Sequence, residues 1–447
     1  MTKQTPSRQR NRSKPYNGTY DWGLITVVFT LLVLGLIMVF SASYAQGQYG
    51  YGEPYYFIVK QLRWSLLGIV ALLVSMRIDY HFWERFSIPL MGIALIALIA
   101  VVAMGQETYG SARFLLGASV QPSEPAKIII IIYIATWLAS KGARIRDVRV
   151  GLLPFSVLMG AVTVLIVTQP DISTALLIVT TASIMFFIAG AELRQLFVVA
   201  LGTAATFAVV IRYSDYARGR VERYFTSIRN PLESAEWQSV QSAQAIINGG
   251  PLGVGVGNSS AKYPGFLPVS WSDNIFAIIG EELGLVGALL VILLFAVLAY
   301  RGLRIALNAP DNFGMLLATG ITALLILQAI LNAAVVVAVA PPTGITLPFI
   351  SYGGSSLLTA LGAVGIMLNI SKQIQPGVTA PAVTGKMAYA RFDFGWGNRR
   401  PRLSGNRRRR TTRSGARKST GRSTTGNGRK STGSRTARRN ASGSRRK

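Results

Sequence analysis

The sequence predicts an all-α polytopic membrane protein, with ten transmembrane helices and a long extracytoplasmic loop between helices 7 and 8. Composition is the first reason, because half of the residues are hydrophobic and only 14% are charged, whereas soluble domains average roughly a quarter charged. The second reason is that apolar runs close to the ~20 residues needed to cross a bilayer recur along most of the chain. The third is that only one long polar interval, residues 213–273, interrupts them.

Ten apolar runs define the predicted helices, with boundaries accurate to a few residues. They are residues 24–43, 62–76, 86–104, 124–140, 152–169, 172–190, 196–211, 275–300, 313–340 and 355–370. The first run is longer than the apolar part of a signal peptide and is predicted to be a retained span. The chain has no cysteine, so disulfides and thiolate metal sites are excluded.

Charge divides the chain into a leader (1–21), a transmembrane domain (22–371) and a tail (372–447). From Lys386 onward the tail holds 21 Lys or Arg and one acid, Asp393, so only +8 of the net charge of +28 lies elsewhere. Because the tail has almost nothing to bury, it is predicted to be disordered. Its charge suits anionic lipid or a cytoplasmic protein partner. No specific nucleic-acid binding is predicted, since base-stacking aromatic residues are scarce there.

Basic residues in the short loops set the predicted orientation. Lys and Arg occur in the leader and then in alternate loops, such as residues 77–85, 141–149 and 301–304. Because cytoplasmic loops carry the excess of Lys and Arg, both termini are predicted to be cytoplasmic. The 213–273 loop then faces outward.

Three ionisable side chains are predicted to lie at membrane depth near the outer face: Glu124, Lys127 and Asp171. Only thirteen residues separate Lys127 from Lys141, too few to cross a bilayer, so the helix must start earlier. Glu124 and Lys127 are three residues apart and can pair; a structural ion pair and a cavity-lining role are equally good interpretations. Asp171 either caps the next helix or has a function, since ionisable groups at this depth are costly.

The polar interval carries the best candidates for chemistry. Arg220, Arg223 and Lys262 can neutralise the phosphates of an anionic ligand. Asp273 stands at the entrance of the eighth helix, where an N-cap is the default interpretation and a general base acting on a sugar hydroxyl is the alternative. Glu281, eight residues further on, is expected to share the helix face of Asp273 and to contact the substrate.

Two glycine-rich segments are predicted to be irregular. Residues 253–257 favour a turn, because a dinucleotide-binding loop needs a preceding strand. Residues 341–356 interrupt an uncharged stretch, and irregular backbone in a membrane survives only if it is buried or lines a wet cavity. This segment is predicted to fold into a cavity, which makes Ser351 and Ser355 candidate ligand contacts. His81, the one histidine, is predicted to be interfacial and not catalytic. From these residues alone, a membrane enzyme and a transporter are nearly tied.

Five motifs, in this order, resemble the SEDS family of shape, elongation, division and sporulation proteins over about residues 22–371. They read QPSEPAK at 121–127, QPDIST at 169–174, GNSS at 257–260, SDNIFAIIGEELG at 272–284 and TGITLPFISYGGSS at 343–356. The last two are long and specific. Asn274, Ser173 and Pro125 depart from the usual family residues, and none of these changes removes a proposed catalytic group.

The resemblance implies ten helices and a peptidoglycan glycosyltransferase that polymerises lipid II with a class B penicillin-binding protein and other divisome membrane proteins. It implies that Asp273 deprotonates the 4-hydroxyl of an acceptor N-acetylglucosamine and that undecaprenyl pyrophosphate leaves. Glu124 and Lys127 match a family pair that lines the central cavity. The resemblance implies no particular cofactor, and a divalent cation, Mg²⁺ or Mn²⁺, at the leaving group is the one option left open.

The GNSS motif and Thr346 resemble the division branch of the family more than its elongation branch. The resemblance therefore places the protein in the bacterial cytoplasmic membrane, at the division septum. An elongation polymerase is the nearest alternative, and a lipid II flippase and a non-catalytic divisome scaffold are alternatives of other classes. A flippase would carry polar residues toward the cytoplasmic half of its helices, and few are seen there. A scaffold gives no reason for Asp273, Glu124 and Lys127 near the outer face.

Overall fold

The structure, a computed structural model, describes residues 18–104, 106–108, 111–114, 121–169, 171–229 and 237–374. Most of the leader and nearly all of the basic tail lie outside these residues, so the predictions about them stay predictions. The helices of the described part are α1 (Trp22–Tyr51), α2 (Tyr56–Arg77), α3 (Tyr80–Arg85), α4 (Ser87–Met104), α5 (Ser123–Lys141), α6 (Leu153–Val167), α7 (Ile172–Ile188), α8 (Leu193–Tyr213), α9 (Asp215–Arg229), α10 (Trp237–Gly249), α11 (Ile275–Glu282), α12 (Gly284–Leu307), α13 (Asn312–Val336) and α14 (Gly354–Lys372). A short antiparallel hairpin, β1 (Gln106–Thr108) and β2 (Ser111–Phe114), follows α4.

The helical membrane fold predicted from the sequence is confirmed. Within the described ranges, eight helices are long and apolar enough to cross a membrane. Two shorter apolar helices, Ser87–Ala103 and Ile172–Ile188, coincide with two further predicted runs, while the count of ten crossings stays a prediction. The small hairpin before α5 was not predicted, because its residues show no extended alternation of polar and apolar side chains.

The prediction of one continuous helix over residues 275–300 is wrong. The structure has two helices there, α11 and α12, separated by Leu283. Helix α12 begins at Gly284, whose φ of 69° is a left-handed conformation that glycine adopts without steric cost. The glycine-rich segment fills the break: Val254 N–H donates to Glu281 O (2.9 Å), and Leu285 N–H donates to Gly250 O (2.9 Å). These bonds satisfy backbone groups that the interrupted helices leave unpaired. Residues 253–257 therefore form the predicted turn, and the turn is what divides the helix.

The interval predicted as a long loop also contains regular structure, since α9 and α10 both lie within residues 213–273. These two helices were not predicted, because their mixed polar composition lacks the long apolar run that marked the other helices. The preceding helix, α8, is packed only lightly, with Gln195 and Val199 as its buried residues. The segment between α8 and α11 is thus a partly helical layer.

The two ends of the helical bundle are identified by contacts between distant parts of the chain. At one end, Asp21 lies 3.7 Å from the guanidinium of Arg301 and its N–H donates to Ser371 Oγ (3.2 Å). At the other end, Ser41 of α1 donates to Glu282 Oε1 (2.6 Å). This second end, which carries residues 237–282, is named the loop end.

The starts of α5 and α7 also belong to the loop end. The short helix α3 lies at the opposite end, where Tyr80 N–H donates to Asn369 Oδ1 near the end of α14 (2.9 Å). Helix α4 begins directly after α3 and therefore runs toward the loop end, so α5 begins there. The same alternation through α5 and α6 brings the start of α7 to the loop end.

Helices α2 and α14 pack closely through glycine, as membrane helices commonly do. A Cβ atom on Gly365 would lie 2.4 Å from the carbonyl oxygen of Leu72, whereas a Cβ on Gly362, one turn earlier, would lie 3.9 Å from its nearest neighbour, Ser75 Oγ. The backbone of α2 cannot yield as a flexible side chain could. The spacing of these two helices is therefore set at Gly365.

Gly365→Ala is expected to destabilise the protein by about 1–3 kcal/mol, the usual cost of overpacking, because α2 and α14 must move apart. Gly362→Ala is the matched control on the same helix and should leave the unfolding temperature unchanged or slightly higher. Thermal unfolding in detergent, followed by size-exclusion chromatography, measures both. Equal unfolding temperatures for the two variants would contradict the close contact at Gly365.

A polar network ties α3 to the start of α13 at the end opposite the loop end. His81 lies between two carboxylates, with Nε2 3.0 Å from Asp311 Oδ2 and Nδ1 2.8 Å from Asp79 Oδ1. Asp311 caps α13 by accepting from Gly314 N–H (2.7 Å) and also accepts from the Tyr80 hydroxyl. The hydrogen bond to Asp311 raises the pKa of His81 to about 9, although burial opposes it. Burial alone would raise the pKa of Asp311, but the His81 bond and the other donors lower it.

The raised pKa of His81 predicts how stability depends on pH. Because the folded pKa of about 9 lies above the ordinary value of 6.5, the stabilisation is complete below pH ~6.5 and is lost as the pH rises through about 9. The unfolding temperature should therefore fall between pH 7 and pH 10 by more in the wild type than in His81→Gln. An identical decline in both proteins would show that His81 contributes nothing to this dependence.

Candidate functional site

Asp273 lies at the loop end on an irregular segment just before α11, and it is half-buried. Asn274 occupies the N-cap position of α11, so Asp273 is one residue outside the helix. The N-cap interpretation of Asp273 is therefore wrong. The expectation that Glu281 shares its helix face is wrong for the same reason, since Asp273 is not part of α11.

The backbone around Asp273 is fixed by hydrogen bonds from two other elements. The three consecutive carbonyls of residues 271–273 each accept a bond from another element: from Tyr352 N–H (3.0 Å), Ser351 Oγ (2.7 Å) and Asn332 Nδ2 (2.7 Å), in that order. Tyr352 and Ser351 belong to the segment before α14, and Asn332 belongs to α13. The segment that presents Asp273 is thus held from two sides.

Both irregular segments at this point contain a strained residue. Val269, four residues before Asp273, has a φ of 50°, and Phe349, two residues before Ser351, has a φ of 65°. Non-glycine residues in this region cost of order 1–3 kcal/mol and concentrate at functional sites, where the surrounding structure enforces them. As predicted, residues 341–353 are irregular, and several of them are fully buried.

Asn274, which replaces the usual family residue, has a structural role. Its side chain is buried; Nδ2 donates to Pro268 O (2.8 Å) and Oδ1 accepts from Gln238 Nε2 of α10 (3.1 Å). These bonds connect the Asp273 segment to α10. The departure from the family pattern therefore adds a further support next to Asp273.

Glu281 holds the glycine-rich loop. Its carboxylate is buried and accepts from the hydroxyls of Ser259 and Ser260 (2.7 Å for Ser260) and from the N–H groups of Ser260 (3.2 Å) and Ala261 (3.2 Å). Four donors from one tripeptide occupy the acceptor capacity of this carboxylate. The geometry argues against the predicted contact of Glu281 with substrate.

Glu281→Ala is expected to lower stability by at least about 2 kcal/mol, because buried donors lose their acceptor. Glu222→Gln, an exposed carboxylate on α9, is the control and should leave the unfolding temperature unchanged. A rise in KM without any change in unfolding temperature would instead support the predicted role in substrate binding.

Lys262 is engaged within the same loop. Its ammonium is buried, donates to Gly257 O and lies 3.8 Å from Glu282 Oε1. Glu282 also accepts from Ser41 of α1 (2.6 Å). The predicted contact between Lys262 and a phosphate is not supported by this geometry, since the ammonium is directed at the loop and at a buried carboxylate.

Glu124 and Lys127 form the ion pair that their spacing predicted, with 2.7 Å between Lys127 Nζ and Glu124 Oε2. Both are buried in the first turns of α5, at the same end of the bundle as Asp273. Asp171 is also buried at this end and caps α7, accepting from Thr174 N–H (3.2 Å). The structure thus brings three predicted site residues to one end of the bundle, and it gives Asp171 the capping role that was one of its two interpretations.

The remaining predicted site residues lie on α9 and at the start of α14. Arg223 lies on the exposed surface of α9, which contacts the turn after α13 through a bond from Tyr224 Oη to Val339 O (2.7 Å). Arg220 belongs to the same helix, and its side chain lies outside the described residues. Ser355 is half-buried in the first turn of α14. Their predicted ligand contacts stay predictions.

Two residues near Asp273 were missed in the sequence analysis. Asn332 of α13 donates to Asp273 O (2.7 Å). Gln61 of α2 donates to Ser351 O (3.2 Å) and accepts from Gly353 N–H (3.4 Å). Both side chains are buried. The signal was present in the sequence, because each is an amide side chain within or beside an apolar run, where polar groups are costly.

The fold and the site together define a polytopic membrane protein with a polar, carboxylate-bearing site at one end of its helical bundle. The chain belongs to the FtsW/RodA/SpoVE family of cell cycle proteins, whose family model matches residues 22–375.

Among its relatives is the probable peptidoglycan glycosyltransferase FtsW of Trichlorobacter lovleyi, which is 39% identical over 84% of this chain and 98% of the relative. The stage V sporulation protein E of Bacillus subtilis is 38% identical over 79% of this chain and 97% of the relative. Solved structures are also similar. A chain from a study of a peptidoglycan synthase complex matches with a TM-score of 0.66 and 27% identity, covering 80% of this chain and 99% of that one. The rod shape determining protein RodA of Thermus thermophilus matches with a TM-score of 0.59 and 25% identity, covering 79% of this chain and 97% of that one.

Proposed function

We propose that this protein is a peptidoglycan glycosyltransferase that polymerises lipid II into glycan strands during cell division, with Asp273 as the general base. The observation that carries the proposal is the geometry of Asp273: a half-buried carboxylate outside the helix cap, on a backbone segment whose carbonyls are held by α13 and by the segment before α14. The FtsW names of the relatives support the activity and the division role.

In the proposed reaction the carboxylate of Asp273 takes the proton of the 4-hydroxyl of the acceptor N-acetylglucosamine. The freed oxygen attacks the anomeric carbon of the donor N-acetylmuramic acid, and the bond from that carbon to the pyrophosphate breaks. Undecaprenyl pyrophosphate leaves with the bonding electrons as an anion. A fixed backbone suits this role, because a general base must lie within hydrogen-bond reach of the proton it removes.

Cationic groups near the loop end would stabilise the developing negative charge. Lys127 is the buried candidate. Arg220 and Arg223 are further candidates on α9, in the segment between α8 and α11. The ion pair with Glu124 fixes the ammonium of Lys127 in one position. Fixed charge in a poorly hydrated site is worth more than the same charge in water.

A divalent cation, Mg²⁺ or Mn²⁺, stays part of the proposal. Among the residues that the structure describes, no three His, Cys, Asp or Glu side chains come together as a ready-made metal site. Such a composition fits a cation held mainly by substrate phosphates, as Mg²⁺ often is. The polymerisation rate measured in chelator, and again after Mg²⁺ is restored, tests this part.

The proposal includes the topology and the partners. Both termini would be cytoplasmic in the bacterial inner membrane, with residues 213–273 and Asp273 facing outward at the division septum. A class B penicillin-binding protein would cross-link the strands, and other divisome membrane proteins would assemble with the pair. The similarity to a chain from a peptidoglycan synthase complex supports a synthase partner.

The test is conversion of labelled lipid II by the purified full chain with its class B synthase, whose transpeptidase is blocked with a β-lactam. Glycan strands are the expected product. Movement of lipid II across liposomes without polymer would support the flippase alternative. A complex that assembles but neither polymerises nor translocates would support the scaffold alternative. In cells, rescue of septation but not of rod shape after depletion would support the division role over elongation.

A further inference from the structure

Asn332 of α13 connects two irregular segments at the loop end. Its side chain is 1% exposed, and Nδ2 donates to Asp273 O (2.7 Å) and to Ile345 O (2.8 Å). An amide nitrogen carries two hydrogens, and these two bonds use both. One side chain thus holds the backbone of Asp273 and the backbone of the segment that leads into residues 347–353.

Helix stability alone does not explain this amide. Oδ1 of Asn332 is buried and has no hydrogen-bond partner among the residues described, and a buried acceptor without a partner is costly. The backbone of α13 needs no polar side chain at this position, since the helix continues to Val336. What the amide supplies is the pair of bonds outward, to Asp273 and Ile345.

Helix α13, which carries Asn332, packs closely against two neighbouring helices. A Cβ atom on Gly320 of α13 would lie 2.6 Å from both Ile131 of α5 and Met185 of α7, so α13 is in close contact with both helices. Helix α5 also bears the Glu124–Lys127 pair. Asn332 therefore links Asp273 to the same packed group of helices that holds this pair.

We infer that Asn332 is a positioning residue for Asp273: its two N–H donors fix the backbone from which the carboxylate reaches the acceptor hydroxyl. This inference rests on the proposed function. Ser351 holds the preceding residue separately, by donating to Ser272 O (2.7 Å), so loss of Asn332 would remove one attachment of the segment and leave the other.

Asn332→Leu, which keeps the approximate volume and removes both donors, is the principal variant. The turnover number is expected to fall by about 10- to 100-fold, as for a displacement on the order of 1 Å, while KM for lipid II stays within about threefold because the substrate contacts remain. Amide hydrogen exchange of residues 269–275 should accelerate. Thr319→Val is the matched control: Thr319 is buried on the same helix, and its hydroxyl bonds to Met315 O (2.8 Å) and to no other group in the described part of the chain.

A double-mutant cycle with Asp273→Glu separates positioning from general destabilisation. If Asn332 acts through Asp273, the loss caused by Asp273→Glu should be at least about threefold smaller in the Asn332→Leu background. The inference would be overturned if the activity losses of the two single variants simply multiply in the double variant. It would also be overturned if a folded Asn332→Leu protein keeps the turnover number of the wild type.

Ser351→Ala provides a second variant if Asn332→Leu does not fold. Its turnover number is also expected to fall at constant KM. An unchanged turnover number would contradict the inference that the hydrogen bonds to the backbone of residues 272–273 position Asp273. Hydrogen exchange also distinguishes the two proposals. Wild type without polymerase activity defeats the proposed function, whereas unchanged exchange at residues 269–275 in Asn332→Leu defeats the positioning role.

Discussion

Asp273→Asn is expected to lower the rate of lipid II polymerisation by about 10²- to 10⁴-fold, the usual contribution of a general base. The amide keeps the size and the hydrogen-bonding shape of the carboxylate but has no basic oxygen for the 4-hydroxyl proton. Because the backbone carbonyl of Asp273 accepts the bond from Asn332, this bond is kept in the variant. The unfolding temperature, measured on the same preparations, shows whether the loss of activity comes with a loss of stability.

The control for this experiment is Glu222→Gln, the same change of carboxylate to amide on the exposed surface of α9. Its polymerisation rate should equal that of the wild type. Asp273→Ala should behave like Asp273→Asn if the carboxylate is the base. Activity of both Asp273 variants within a few-fold of wild type would remove the base from this position.

Lys127→Ala is expected to destabilise the protein by about 3–5 kcal/mol, since it leaves the buried Glu124 carboxylate without its partner. It is also expected to abolish polymerisation, because the proposed reaction needs a cation near the leaving group. These two effects cannot be separated in a single variant. Glu124→Gln with Lys127→Gln removes both charges and should recover most of the stability, while activity stays low.

The reversed pair decides between the two interpretations of these residues. Glu124→Lys combined with Lys127→Glu keeps an ion pair at the same spacing, so stability should be largely recovered, apart from a small cost of placing a cation in the first turn of α5. If the pair is only structural, activity recovers with stability. If Lys127 serves the substrate, a stable but inactive protein results. Thermal unfolding and lipid II conversion on the same preparations give the answer.

The positions of the membrane helices could be predicted from the sequence because hydrophobicity over a window of about 20 residues depends on composition alone. The ion pair of Glu124 and Lys127 could also be predicted from the sequence, since a spacing of three residues on a helix places the two side chains next to each other. The turn at residues 253–257 was predicted from glycine content. Each of these features depends on residues that are neighbours in the sequence.

Other features were missed or misread because residues distant in sequence produce them. The apolar run through residues 275–300 gave no sign of the break at Gly284, which exists because residues 250–255 dock there. The position of Asp273 at a helix entrance suggested a cap, while Asn274 takes that place. Glu281 was expected to share a helix face with Asp273, but Asp273 lies outside α11 and the Glu281 carboxylate binds the loop at residues 259–261.

The sequence by itself determined a helical membrane protein, the family motifs and the residues available for chemistry. Tertiary structure decided which of those residues support the fold, as Glu281 and Lys262 do by holding the glycine-rich loop. The physical reason is that a side chain buried near a membrane must satisfy its hydrogen bonds within the protein, and its partners come from whichever elements pack around it. Asn332, 59 residues from Asp273 along the chain, shows this dependence: its role follows from α13 lying beside the Asp273 segment.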